Sequence, residues 1–204
     1  MLISLDDLAP SRIYSLITQT LIPRPVAWVL SENAGGNFNL APFSYFNAVC
    51  TDPPLLMISV GKKPDGSFKD TRVNIEQRQD FVVHIAHRDL LDAMNRSSET
   101  LPAGESEVDK LGLATIEFPG SRLPRLADSR VAFACRRHEL YEIGATPQSL
   151  ILGRVTHVYL DDAVCEESPE QRLRIDAGRL DPVSRLGAGE YAMLGERIAL
   201  ERPE

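Results

Sequence analysis

The segment Asn39-Leu40-Ala41-Pro42-Phe43-Ser44-Tyr45-Phe46-Asn47-Ala48-Val49-Cys50-Thr51 mixes large aromatic rings with small hydroxyl and amide side chains. That mixture suits a flat, partly polar ring system, held by shape and a few placed hydrogen bonds. Further along, Lys69-Asp70-Thr71 stands where a helix is expected to begin. A helix start offers free backbone N–H groups and partial positive charge, to which Lys69 adds a full charge and Thr71 a hydroxyl. This is the chemistry of a phosphate cradle. Capping by Asp70 and a solvated Lys69 account for the same residues.

Other chemistries have no foothold. The chain contains no GxSxG elbow, no HExxH, no GxGxxG and no GxxxxGK[ST], so hydrolase, zinc-protease, dinucleotide-fold and P-loop readings lack their motifs. The four histidines are isolated; His84 and His87, three apart at a strand end, point to opposite faces and do not suit a shared metal. Cys50, Cys135 and Cys165 form no CxxC pair, and each is expected as a buried reduced thiol packing as a small hydrophobe. Neither a catalytic side chain nor a metal is expected.

Composition narrows the partners. With 22 Lys and Arg against 29 Asp and Glu, the net charge of −7 is opposite to the basic footprint of a nucleic-acid binder. Apolar runs such as Leu55 to Val60 are too short to cross a bilayer. The N-terminus lacks the pattern of a signal peptide, which gives the expectation of a cytoplasmic protein without nucleic-acid or membrane partners. No repeat, low-complexity tract or linker divides the 204 residues, so one domain over 1–204 is expected.

The elements that would position the polar segments are mostly strands. Asp7 is placed to cap a helix with Pro10 in its first turn, ending before Pro23-Arg24-Pro25. Val26 to Leu30 reads as a strand, Asn33 to Asn37 as a hairpin turn, and Phe38 onwards as the returning strand. Phe43 to Thr51 and Leu55 to Val60 are further strands, separated by Asp52-Pro53-Pro54. A helix from Asp70 or Thr71 to about Arg78 precedes a strand from Phe81 to Ala86. Arg88 to Arg96 and Glu107 to Leu111 read as helices decorating the sheet surface. Ser129 to Ile143 and Ser149 to Leu160 are long strands joined through Gly144-Ala145-Thr146-Pro147. In the second of them, alternation puts Val155, His157 and Tyr159 on one face. Asp176 to Gly195 reads as an ordered excursion rather than a strand. Many strands with short turns favour an antiparallel sheet or closed barrel.

Taken together, Ile22-Pro23-Arg24-Pro25-Val26-Ala27-Trp28-Val29, the Asn39 to Phe46 stretch, Asp52-Pro53-Pro54, Lys69-Asp70-Thr71 with Asn74, and Asp181-Pro182-Val183-Ser184-Arg185-Leu186-Gly187 with Tyr191 resemble the flavin reductase-like family of FMN-binding split β-barrel proteins. The order and spacing of these segments carry the resemblance over nearly the whole chain. It implies a mainly β fold: a six-stranded antiparallel Greek-key split β-barrel with short peripheral helices. It also implies a homodimer with one FMN in each of two grooves at the subunit interface. Position by position, Ser44, Asn47 and the stretch Val49, Cys50 and Thr51 would border the ring and ribityl chain, while Lys69, Asp70, Thr71 and Asn74 would surround the phosphate. Arg24 and Arg185 would serve the flavin bound mainly by the other subunit, or are ordinary surface arginines. The implied activity is hydride transfer from NADH or NADPH to the flavin, with reduced flavin passing to a partner monooxygenase; the alternative is an FMN-binding electron carrier or a non-catalytic flavin-binding protein.

Overall fold

A run of apolar residues without alternation marks a strand covered on both faces, and the stretch from Val26 to Leu30 occupies such a position. The computed structural model describes residues 1–145, 148–167, 173–201 and 203. Its main sheet contains β1 (Ala27–Glu32), β2 (Phe38–Phe43), β3 (Phe46–Thr51), β4 (Pro54–Val60), β5 (Asp80–His84), β6 (Val131–Ile143) and β7 (Gln148–Leu160). These strands pair antiparallel in the order β2-β1-β5-β6-β7-β4-β3.

The ends of that order, β2 and β3, are neighbours in sequence, joined by Ser44 and Tyr45 alone. A flat sheet of this many strands would separate its end strands by roughly 29 Å, whereas the step from Phe43 to Phe46 reaches about 11 Å. The sheet must therefore curl until its ends meet. At the seam the Ser59 N–H donates to the Tyr45 carbonyl at 2.9 Å. The sheet has seven strands, where the resemblance implies six. Phe43 to Thr51, expected as one strand, breaks at this corner, and its halves pair with β1 and β4 near opposite ends of the order.

Two cores result. The barrel interior takes side chains from every strand of the sheet, including Val29, Phe43, Phe46, Ile58, Phe81 and Ile151, and is closed by Ile75 of α2 (Asp70–Arg78). The opposite face of β1 sends Trp28 and Leu30 into an outer core. That core is covered by α3 (Leu91–Arg96) and α4 (Glu107–Leu111), whose Met94 and Val108 are buried. The two short helices are thus a structural lid and not the surface decoration expected, because their few apolar residues face Trp28's layer. A 3-10 turn from Arg88 to Leu90 precedes α3.

Local details also depart from the sequence expectation. In α1 (Pro10–Thr20) the capping position is Ala9, with Pro10 first in the helix, so Asp7 is not the cap. In α2 the capping position is Lys69 and Asp70 is the first helical residue. Along β7 a bulge interrupts the alternation: Val155 pairs with Cys135 and His157 with Ala134. Thr156 is the extra residue, and its hydroxyl donates to the Ala134 carbonyl at 3.1 Å. Val155 consequently packs on the interior and Tyr159 on the outer core. Gly144 and Ala145 form a turn, while Thr146 and Pro147 of the expected connection lie outside the described residues. The C-terminal excursion contains α5 (Ala177–Leu180) and, contrary to expectation, short strands: Ser184–Arg185 pairs with both Arg24–Pro25 and Tyr191–Ala192. Among the described residues no helix is long and apolar enough to cross a membrane.

Candidate functional site

Three connected cavities form a groove along β2. The first, of about 60 Å³, lies at the start of α2 and is lined by Asn39, Lys63, Lys69, Thr71 and Glu107. It shares Pro42 and Ser98 with a cavity of about 220 Å³, which in turn shares Tyr14, Ser44 and Arg185 with a third of about 250 Å³. One wall is the stretch after α3. It is fixed from below, since the Trp28 indole N–H donates to the Ser97 hydroxyl, which donates to the Met94 carbonyl, each at 2.8 Å. The outer core therefore anchors one wall of the groove.

The α2 end brings Lys63 and Lys69 together with Asp70, Glu99 and Glu107, and Lys69 is partly desolvated. Lys69 lies with Nζ 5.6 Å from the Phe43 ring centroid; burial, and then the neighbouring Lys63, push its pKa down. Lys63 itself pairs with Asp70 at 2.9 Å, so Lys69 is the cation left without a carboxylate among the described residues. The first turn of α2 adds N–H groups that have no acceptor inside the helix. A desolvated cation beside another cation, at a helix start, gains from an anion placed between them. The donor set fits a phosphate. Glu107 is the opposing feature: its buried carboxylate accepts the Leu40 N–H at 2.8 Å, and burial raises its pKa.

Polar groups behind the groove hold α2 in place. The Asn39 amide donates to Ser31 Oγ at 3.2 Å and to Thr71 Oγ1 at 2.8 Å. The Asn74 amide donates to Ser31 Oγ at 3.2 Å and to Asn33 Oδ1 at 2.8 Å. Asn74 thus faces the sheet, where it anchors the helix, and does not line the groove.

At the opposite end Arg24 is buried and donates to the Thr18 carbonyl, to the Leu21 carbonyl at 2.7 Å and to the Leu186 carbonyl at 3.0 Å. Its Nε lies 3.4 Å from Ser44 Oγ. Arg185 is half-buried, with its guanidinium carbon 4.5 Å from the Tyr191 ring centroid. The Tyr191 hydroxyl donates to Asn95 Oδ1 at 2.9 Å.

Of the residues singled out by sequence, Lys69, Asp70 and Thr71 gather at one end of the groove, and Arg24, Ser44 and Arg185 at the other. Asn47, Val49, Cys50 and Thr51 lie elsewhere: they are exposed along the edge strand β3 and line none of these three cavities. Cys50 is accordingly exposed and Cys165 half-buried, against the expectation of buried thiols, which holds for Cys135 alone. Among the described residues no layer covers Cys50 on the edge strand. Sequence reasoning missed Lys63, Glu107 and Tyr14 as groove residues. Lys63 had a signal in the turn-rich approach to α2, whereas Glu107 reaches the groove through a bond to Leu40 across 67 positions, which no local pattern announces.

A curled antiparallel sheet with a groove that carries lysines at one end and arginines at the other, and is lined by tyrosines and hydroxyls between, is a split-barrel architecture with room for an anionic ligand. The flavin reductase like domain model matches residues 19–174, and the chain belongs to that family. It is 37% identical over 202 residues to the uncharacterized protein YwrF of Bacillus subtilis, covering 97% of both chains. Among solved structures it is similar to nitrilotriacetate monooxygenase component B from Bacillus cereus, with 34% identity, a TM-score of 0.91 and 98% of each chain covered. It is also similar to the 2-nitrobenzoate 2-nitroreductase NbaA of Pseudomonas fluorescens, with 29% identity, a TM-score of 0.86, and coverage of 100% of this chain and 96% of that one.

Proposed function

We propose that this chain is a homodimeric, NAD(P)H-dependent flavin reductase that binds FMN in the groove and passes reduced flavin to a separate monooxygenase. The observation that carries the reading is Lys69 at the start of α2, desolvated and without an ion-pair partner among the described residues, at the end of a groove continuous with a tyrosine- and hydroxyl-lined space. Membership of the flavin reductase family and similarity to a monooxygenase component support it.

Bound FMN would supply the hydride-accepting and hydride-donating ring. The residues of the chain hold and orient. Lys69, Thr71 and the first N–H groups of α2 bind the phosphate; Asp70 keeps Lys63 beside it; Asn74 and Asn39 fix the helix that presents them. Ser44 and Pro42 border the ring, with Ser98 on the opposite wall. No side chain is required as acid or base.

The dimer is supported by an uncovered apolar surface. Tyr14 and Leu21 on and after α1 are more than half exposed, and Val49 on β3 about half. The Tyr14 and Tyr45 rings, 6.4 Å apart, join the two patches. A second copy packed there would bring Asn47 and the Val49 to Thr51 stretch into the flavin site.

The test is the visible spectrum of the purified protein after incubation with FMN and gel filtration, followed by NADH and NADPH oxidation with added FMN. Retained flavin bands and oxidation above the free-flavin background are expected. A protein that refuses both FMN and FAD overturns the reading, and flavin binding without nicotinamide oxidation overturns the reductase assignment.

A further inference from the structure

We propose that the cavity between Arg24 and Arg185 is an anion pocket for the second reactant of the groove, receiving a carboxylate or phosphate separate from the one at Lys69. The identity of that reactant rests on the flavin reading; the pocket itself rests on charge and geometry. Arg24 and Arg185 are direct partners across the short antiparallel pairing, an arrangement that sets like charges side by side and costs stability unless something answers them. At the α2 end Lys63 is answered by Asp70, though Lys69 is not, and outside the groove Arg88 is answered by Asp181. Among the described residues no carboxylate oxygen lies within 4.0 Å of Arg24 or Arg185.

The two arginines divide the work. Arg24, only 5% exposed, spends its donors on carbonyls at the end of α1 and on Leu186. Those oxygens carry partial charge and offset part of its cation. The Arg185 side chain donates no hydrogen bond among the described residues, and its planar fork, stacked on Tyr191, is free to take a bidentate anion. Hydroxyls of Ser15, Thr18 and Ser44 complete the lining. The far wall is the turn from Gly187 to Glu190, closed against α1 so tightly that a Cβ on Gly187 would stand 2.9 Å from Gln19 Cα. Glycine is required there for the pocket to have a wall.

About 250 Å³ holds one phosphate or one carboxylate-bearing ring, not a whole dinucleotide. Because the cavity opens through Tyr14, Ser44 and Arg185 into the neighbouring space, an anion held at Arg185 would set its attached planar group beside the flavin ring. Two sources share this chemistry: the carboxylate of an aromatic acceptor and the pyrophosphate of the nicotinamide donor.

The experiment is isothermal titration of the FMN-saturated protein with benzoate and, separately, with ADP-ribose, for the native chain, Arg185→Gln and Arg185→Lys. Loss of a charge-assisted pair predicts binding weaker by at least about 10-fold in Arg185→Gln, partly restored in Arg185→Lys, with a clearly smaller change in FMN affinity, since Arg185 also borders the space assigned to the ring. Benzoate binding alone assigns the pocket to the acceptor, and ADP-ribose binding alone assigns it to the donor. Absence of both at millimolar concentration, or binding unchanged in Arg185→Gln, overturns the proposal. A parallel loss of FMN affinity also overturns it, since it would place Arg185 on the flavin. A native chain that takes up no FMN counts against the flavin reading instead, and the same titrations on the flavin-free protein then decide the pocket.

Discussion

Strand β1 and strand β3 are each six residues long and belong to the same sheet, yet β1 is buried from Ala27 to Ser31 while β3 is exposed from Asn47 to Thr51. Around β1 the polar groups are paired inside the chain: the Trp28 indole with Ser97, and both nitrogens of His84 with backbone. Around β3 and the groove, Lys69 and Arg185 have no ion-pair partner among the described residues, and Val49 is about half exposed. The contrast separates two uses of residues. Groups satisfied within the chain hold the fold, while under the proposed function Lys69, Arg185 and Val49 are left for another molecule.

That division predicts large stability effects at β1 with small ones at the rim. Trp28→Ala should destabilise the chain by about 3 to 5 kcal/mol, from lost packing on the outer core plus the cavity left behind. Urea unfolding measures it, and a loss under about 1 kcal/mol would break the contrast.

His84 gives the next effect. Its Nδ1–H donates to the Trp28 carbonyl at 3.1 Å, and its Nε2 accepts the Leu126 N–H at 3.0 Å, the neutral tautomer this pairing requires. Protonation would turn Nε2 against that N–H, and full burial lowers the pKa from 6.5 to about 4. The unfolded chain therefore binds this proton first as pH falls. The stabilising contribution is complete above 6.5 and lost as pH drops to about 4, amounting to about 3 kcal/mol. Unfolding free energies across that range should fall more steeply for the native chain than for His84→Gln.

At the groove the order reverses. Lys69→Ala should change stability by less than about 0.5 kcal/mol, yet raise the FMN dissociation constant by roughly 10- to 150-fold if the ammonium contacts the phosphate. Fluorescence titration reads the affinity; an unchanged constant would remove Lys69 from the site and leave its desolvation unexplained.

Much of β1 was legible because burial on both faces writes itself as an unbroken apolar run, and the start of α2 because turn residues precede Lys69-Asp70-Thr71. The corner at Ser44-Tyr45 was not, since what breaks that strand is pairing with β1 on one side and β4 on the other. Local propensity is silent on partners. The bulge at Thr156 is hidden for the same reason: alternation assumes a register, and an extra residue shifts it. The groove was half legible. Its α2 end is a local helix-start pattern, whereas its other parts depend on Glu107 and on the Arg24–Arg185 pairing, each linking distant segments. The edge strand was misread in Cys50 because burial is a property of what lies above a residue.

Val49 offers the finest discrimination. In the isolated chain it sits on an exposed edge and contributes little packing, so Val49→Asp should shift unfolding free energy measured at low protein concentration by under about 0.5 kcal/mol. If a second copy covers this edge, the same substitution buries an unpaired carboxylate in the contact. Dissociation should then appear in sedimentation equilibrium as a lower mean mass, with FMN affinity falling alongside because Asn47 and its neighbours leave the flavin. Unchanged mass would refute cover of β3 by a second copy. Lower mass with unchanged flavin affinity would keep the dimer but confine the flavin to the groove of one chain, so the exposed edge would serve assembly and not the cofactor.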